Sequence, residues 1–426
     1  MLFRISSLLF CALGVFPLSF VSVQGQPPPS QKWLLAHAYK LPSKYTNQES
    51  GYFSIVAGHN GRLYIGTAKY GVDAYLLEFD PKTEACQMVM DVHQVIGSHA
   101  TGFAAQAKIH TRNNVGKSGK IYVGSKQGYP MKGEKRTDYP GGYVLTYDPK
   151  TGKSEHFGIA KPHHGIISVN PDESRGLAYV STCSDDRPID HTHFMILDLK
   201  KRTYRDLGDM EHAYAFIVLD HQDRAYHPVR GGTIARYDPE MNKLEKLSIT
   251  VDGRAPGIEF TRDGAILNWE VSPDRKTLYA VEMSSNGLYA FDLTAAGTSL
   301  PGRRLGALLP HATRTDCRAL CVAPDGRVWM AVTDRGRRGG ALLHLVGYTP
   351  GEKAPRDLGP VGIANPNYTP FTDEKGKPLP WHHTVRKEKD GTLTPWQPLG
   401  ICGTGDGTVW IITLAPFTLL RVHPVG

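Results

Sequence analysis

The chain has little cysteine, six residues in 426, too few and too scattered for a small disulfide scaffold. Beyond the N-terminus it has no apolar run of membrane-spanning length, which excludes a transporter. Amphipathic helical periodicity over ten or more residues is almost absent, which excludes a coiled coil. No helix-turn-helix, zinc finger or RNA-binding signature occurs, and the net charge of +8 is spread along the chain. Its one dense run, Arg335–Arg338, reads as a solvated loop, so no nucleic-acid partner is expected. Gly-Xaa-Ser-Xaa-Gly, Walker A, His-Glu-Xaa-Xaa-His and EF-hand phrases are missing as well. What remains is 40% hydrophobic and 21% charged residues, with 45 Gly and 30 Pro. That composition buries a real core and is loop-rich without a collagen-like period.

Residues 1–25 read as a secretory signal peptide. Arg4 supplies the charge, Leu8–Val23 the apolar stretch, and Val23–Gly25 small residues around a cleavage point. An N-terminal membrane anchor is the alternative. A lipoprotein signal fits badly, because Phe10 precedes Cys11. Cleavage removes Arg4 and Cys11, leaving a net charge of +7 and five cysteines. An odd number in an exported protein argues against complete pairing and leaves room for metal ligands or buried thiols. A basic protein that is secreted or periplasmic should meet acidic partners, and an anionic polysaccharide fits that setting best.

Internal repetition is the strongest signal. A Gly or turn residue followed by alternating apolar residues recurs at Gly61–Thr67, Gly119–Ser125, Gly176–Thr182, Asp223–Val229, Lys276–Glu282, Gly326–Val332 and Gly407–Thr413. The fourth position is Tyr five times and Trp twice. A second phrase follows, clearest in Leu76–Lys82, Val144–Lys150, Phe194–Lys200 and Ile234–Glu240. Its period-two alternation ends in Asp-Pro in three of these four copies, a strand running into a turn. Intervals of 47 to 58 residues, each holding several short strands, predict an all-β, seven-bladed β-propeller. The last interval, 81 residues, predicts an insertion over 363–396. The chain ends on the second phrase of the seventh copy, so Trp33–Leu41 is expected to supply the missing outer strand and close the ring, covering an exposed edge. The mature chain, 26–426, is read as one domain and a monomer.

Fold alone does not give function. The densest concentration of His, Tyr and Arg lies in Ala105–Thr111, Lys126–Tyr129, Tyr139–Tyr143, His163–Gly165, His212–Phe216 and His227–Gly232. Flanking glycines let a backbone or ligand come close. Packing is the bland reading of any single tyrosine here.

From Gly102 to Gly232 the chain resembles the ulvan lyases, secreted seven-bladed propellers that cleave an acidic algal polysaccharide by β-elimination. The resemblance extends more weakly through Asp316–Leu320 and Leu414–Leu420. It implies a catalytic Tyr and Arg sixteen positions apart, an interval that Tyr214 and Arg230 reproduce. It also implies two upstream histidines about twenty positions apart. The matching positions hold Tyr143 and His164, so one histidine is replaced.

β-Elimination at a uronate removes the proton beside the carboxylate and expels the 4-linked oxygen. Arg230 suits neutralisation of the carboxylate, since a guanidinium stays charged and binds it two-pronged. Tyr214 suits proton abstraction if a nearby cation lowers its pKa, with return of a proton to the leaving oxygen. His164 assists either transfer and Tyr143 donates a hydrogen bond or acts as the acid. The bland alternative is that Arg230 pairs with a structural Asp over a packed Tyr214.

A second constellation, His311, Cys317, Cys321, His382, His383 and Cys402, lies toward the C-terminus. Four mixed Cys and His ligands suit tetrahedral zinc, and the resemblance implies a structural Zn2+. The candidate ligands are His311, Cys317, Cys402 and one of His382 or His383. Ordinary buried thiols, or a Cys317–Cys321 disulfide, are the alternatives. His191 and His193 alternate as a strand metal pair would, as in the oligogalacturonate lyases, but no Gln-Xaa-Xaa-His-Xaa-His phrase accompanies them. The alternatives to a polysaccharide lyase are a non-catalytic propeller binding a glycan or protein, and a metal-dependent hydrolase or lactonase.

Overall fold

A computed structural model describes residues 32–46, 50–186, 189–365, 368, 375–377, 385–395, 397–413 and 417–424. The 1–25 segment, His382, His383 and part of 363–396, the stretch expected to be an insertion, lie outside the described residues. Contacts divide the chain into Met1–Lys32 and Trp33–Gly426, and every described strand belongs to the second unit.

Each copy of the first phrase forms a strand: Leu63–Thr67, Ile121–Lys126, Leu177–Cys183, Ala225–Val229, Thr277–Glu282, Val328–Asp334 and Val409–Thr413. Each is paired antiparallel on both sides. The repeated aromatics Tyr64, Tyr122, Tyr179, Tyr226, Tyr279, Trp329 and Trp410 are all buried, in strands covered on both faces. Burying a phenol costs free energy unless its hydroxyl finds a partner, and three of the five tyrosines have a carboxylate there. Tyr64 donates to Glu78 at 2.7 Å, and Tyr122 and Tyr226 donate to Glu173 and Asp220 at 2.9 Å.

The second phrase ends its strand by one repeated device. The carboxylates of Asp80, Asp148, Asp198 and Asp238 each accept the backbone N–H two residues on, at 2.9 to 3.0 Å. This side-chain turn competes with continued pairing. It explains why the aspartate persists in Phe194–Lys200, where the proline is absent.

The strands form sheets of ten, eight, five, four and four. The eight-stranded sheet consists of two antiparallel runs whose outer strands, Lys243–Val251 and Ser299–Gly306, lie parallel. In the ten-stranded sheet, Leu34–Lys40 pairs antiparallel with Thr418–Val422 and parallel with Arg356–Ile363. Apolar clusters join neighbouring runs, for example Leu77 and Phe79 against Trp410 and Leu419. The described α-helices, Val92–Ile96 and Ile258–Thr261, are short, and no described helix is long and apolar enough to cross a membrane.

Candidate functional site

Tyr214 lies in the connection that precedes Val218–Leu219, with φ of +50°. A tyrosine in the left-handed region carries backbone strain of about 1–2 kcal/mol, which surrounding packing must hold. His110 and Phe53 provide that packing, with ring centres 5.2 and 5.9 Å from the phenol ring. His110, fully buried at the end of the short strand Lys108–Ile109, also stacks on Phe53 at 5.6 Å.

The cation beside Tyr214 is Lys126. It ends the strand Ile121–Lys126, and its ammonium lies 5.3 Å from the centre of the Tyr214 ring and 3.1 Å from Asp185 Oδ1. Lys126 is wholly buried. Burial alone disfavours its charge, but the Asp185 carboxylate holds its pKa well above the usual lysine value. Gly165 makes room for it: a Cβ there would fall 2.4 Å from Lys126 Cγ. Behind Asp185, the buried Asp190 accepts from Cys183 Sγ at 3.0 Å, Ser184 Oγ at 2.8 Å and the Asp185 N–H at 2.9 Å. Cys183, Asp185 and Asp190 have the spacing of a metal-ligand group. Lys126 already supplies a positive charge to it.

A second buried lysine, Lys108, sits under two tyrosines, 4.7 Å from the Tyr70 ring centre and 4.2 Å from that of Tyr129. Tyr129 is 52% exposed and meets Tyr70 edge-on at 5.4 Å.

Arg230 is held by ion pairs of its own. Its guanidinium grips Asp263 two-pronged at 2.7 and 3.0 Å and reaches Glu211 at 3.2 Å. These carboxylates hold its pKa above the ordinary arginine value. The structure therefore places Tyr214 against Lys126 and Arg230 against two acids of its own surroundings.

His164 directs Nδ1 to Thr182 Oγ1 at 3.3 Å, and its ring meets His193 edge-on at 5.4 Å. Burial, reinforced by His193 and Lys161, pushes its pKa down to about 4. Tyr143 opens the strand Tyr143–Asp148; its N–H donates to Ser125 Oγ at 2.9 Å and its ring packs edge-on against His156 at 5.6 Å. The backbone links these two positions, since the Gly142 N–H donates to the His164 carbonyl at 2.8 Å. His191 and His193 each bind their own carboxylate, Asp209 at 2.6 Å and Asp206 at 2.8 Å.

The zinc candidates separate. Cys317 is buried in one apolar cluster and Cys402 in another. Burial raises the pKa of both thiols, that of Cys402 to about 12, which disfavours the thiolate a metal needs. All five described cysteines are free, so Cys317 and Cys321 are not bridged. Among the described residues, His311 falls in a ligand group with His344 and Asp357, which neither Cys317 nor Cys402 joins. Among the described residues, His311, Cys317 and Cys402 do not come together in one donor group, and His382 and His383 lie outside the described residues.

Lys126 and Lys108 stand in the His- and Tyr-rich segments of the sequence without a role, and Asp185 lies outside them. Nothing in composition distinguishes a buried lysine from a solvated one. The glycine at 165, after two histidines, was the available hint.

No protein-family model matches the chain, and no curated protein matches it. Among solved structures, it is similar to the Cps50 (Swd1) β-propeller domain of Myceliophteria thermophila, with 10% identity, 92% of this chain, 100% of that chain and a TM-score of 0.52. It is similar to U3-55K, with 7% identity, 91% and 98% coverage and a TM-score of 0.53. It also aligns with the extracellular domain of the putative hybrid two component system BT3049 from B. thetaiotaomicron, with 12% identity and a TM-score of 0.47. There, 91% of this chain spans 41% of that chain. At these identities the likeness is one of fold: an all-β chain similar to β-propellers.

Proposed function

We propose that this chain is a secreted or periplasmic monomer, a seven-bladed propeller closed by Leu34–Lys40, that cleaves a uronate-containing anionic polysaccharide of the ulvan kind by β-elimination. The observation that carries the reading is the strained Tyr214, 5.3 Å from the fully buried Lys126 ammonium. A fixed cation stabilises phenolate over phenol. Tyr214 then takes the C5 proton, the C5–H electrons form the C4–C5 double bond, the C4–O4 bond breaks, and the proton passes to O4. Arg230 exchanges its two-pronged grip on Asp263 for the substrate carboxylate, binding it in the same geometry. His164, neutral at neutral pH, accepts hydrogen bonds from the sugar, and Tyr143 supports the His164 backbone through Gly142.

Screening ulvan, pectic and glycosaminoglycan substrates tests this by the ultraviolet absorbance of an unsaturated uronate. Tyr214→Phe and Arg230→Ala should each lower the rate by about 100-fold or more. A screen with no product from any acidic polysaccharide would overturn the reading.

One observation favours a second reading, a propeller that binds a glycan without cutting it. Arg230 is already satisfied by two carboxylates, while the exposed Tyr129 offers an aromatic face for a sugar. Binding that survives Tyr214→Phe but not Tyr129→Ala, without product, would support it.

A further inference from the structure

His311, His344 and Asp357 come from three different stretches of chain. His344 sits in the strand Leu342–Tyr348, wholly within the sheet and 6% exposed. Asp357 is the second residue of the neighbouring strand Arg356–Ile363. The register between them slips, with His344 opposite Pro360 but Val346 opposite Asp357. Such a bulge re-aims side chains. Gly359, at φ +113°, takes the kink, and its N–H donates to Asp357 Oδ1 at 2.9 Å. The carboxylate is thereby turned toward His344, and both its oxygens lie 3.1 Å from His344 Nδ1.

His311 arrives from the connection between Ser299–Gly306 and Thr315–Val322. That connection is held at its base. Leu308 and Leu309 are fully buried, and the Asn286 side chain both donates to the Leu309 carbonyl at 2.7 Å and accepts its N–H at 2.9 Å. The exposed His311 ring thus stands 5.7 Å from the His344 ring, centre to centre. One potential ligand atom from each of the three residues lies within 4.8 Å of the others.

These distances suit a shared ion. A Zn–N bond of about 2.1 Å puts two imidazole centres on one tetrahedral ion about 5.2 Å apart. The 3.1 Å between His344 Nδ1 and the Asp357 oxygens is also close to the separation of about 3.3 Å between two ligand atoms bound to one tetrahedral ion. We propose that His311, His344 and Asp357 form a binding site for a divalent transition-metal ion of the zinc class, with three protein ligands and the fourth position left to water. The ion would tie the connection bearing His311 to two adjacent strands. It is independent of the lyase reading and of any cysteine ligand.

The test uses the full chain, stripped with chelator and titrated with Zn2+ by calorimetry and with Co2+ by absorption. The expected result is one equivalent bound, a rise in Tm with Zn2+, and Co2+ bands without thiolate charge-transfer absorption. His311→Ala, on an exposed connection that should still fold, should weaken binding by at least tenfold and abolish the Tm rise. Asp357→Asn should weaken it too, while Cys183→Ser should leave it unchanged. No binding by the wild-type chain would overturn the proposal. So would equal binding by His311→Ala, or thiolate charge-transfer bands with Co2+.

Discussion

The Lys126 ammonium and the Asp185 carboxylate form an ion pair 3.1 Å long in which the lysine has no exposed surface and the aspartate side chain only 9%. A buried pair of this kind holds the Cys183–Asp190 connection against the end of the Ile121–Lys126 strand, beneath Tyr214. Its energetics are asymmetric: removing one partner leaves an uncompensated charge, whereas removing both does not. Lys126→Met should therefore destabilise the chain by about 3–5 kcal/mol, read as a fall in the urea midpoint. Adding Asp185→Asn should recover much of the loss. Equal destabilisation by the single and double variants would show that the charge pairing is not what matters.

Acid stability should depend on the buried His212 and His227 and the half-buried His164. Burial pushes His164 and His212 down to about 4 and His227 to about 3. An unfolded histidine binds its proton near pH 6.5, so below that pH the unfolded chain carries more protons than the folded one. Stability contributed by these groups is complete above about pH 6.5 and falls as pH drops toward the folded values. Each contributes a slope of at most about 1.4 kcal/mol per pH unit within that window. His212→Gln should flatten the dependence of Tm on pH between about 6 and 4. An unchanged slope would count against the neutral, buried state.

Asp73 behaves in the opposite sense. Burial, with the adjacent Asp91 carboxyl, raises its pKa to about 8, while the Ala74 and His93 N–H groups still donate to it. The folded chain holds a proton there that the unfolded chain releases above about pH 4. Its contribution to stability therefore declines as pH rises through that interval toward 8. Asp73→Asn keeps an acceptor for the two backbone donors and cannot ionise, so it should stabilise the chain at pH 8 by about 1 kcal/mol. The gain should vanish near pH 4, and thermal melts of both forms across this range would check it.

The repeat was legible because blade-like packing forces the same residue types into the same register. The aromatic from Tyr64 to Trp410 is buried each time, and the aspartate at 80, 148, 198 and 238 closes the same turn each time. The site was legible only as a region. Tyr214 and His164 were singled out and both are partly buried beside other rings. The partner of Tyr214, however, comes from a strand 88 positions earlier in the chain. Spacing along the sequence, as between Tyr214 and Arg230, carries no information about which side chain crosses between sheets. The grouping of His311 with His344 and Asp357 depends on a bulge at Gly359 that alternation alone does not reveal.

The strand Leu34–Lys40 offers the last test. Ala36 has no exposed surface and faces Val422 on one side and Ile363 on the other. It contributes to an apolar cluster with Val361, Leu420 and Val422. A carboxylate at that position would be buried among aliphatic side chains with nothing to pair with. If the strand completes the fold by covering Thr418–Val422, Ala36→Asp should cost about 3 kcal/mol or more and release an edge prone to pairing with other chains. Lower Tm together with concentration-dependent aggregation is the expected result. Exposed Leu35→Asp, on the opposite face of the same strand at 57% exposure, should leave both nearly unchanged. If the two substitutions behaved alike and neither destabilised the chain, the strand would be an ornament on a fold complete without it.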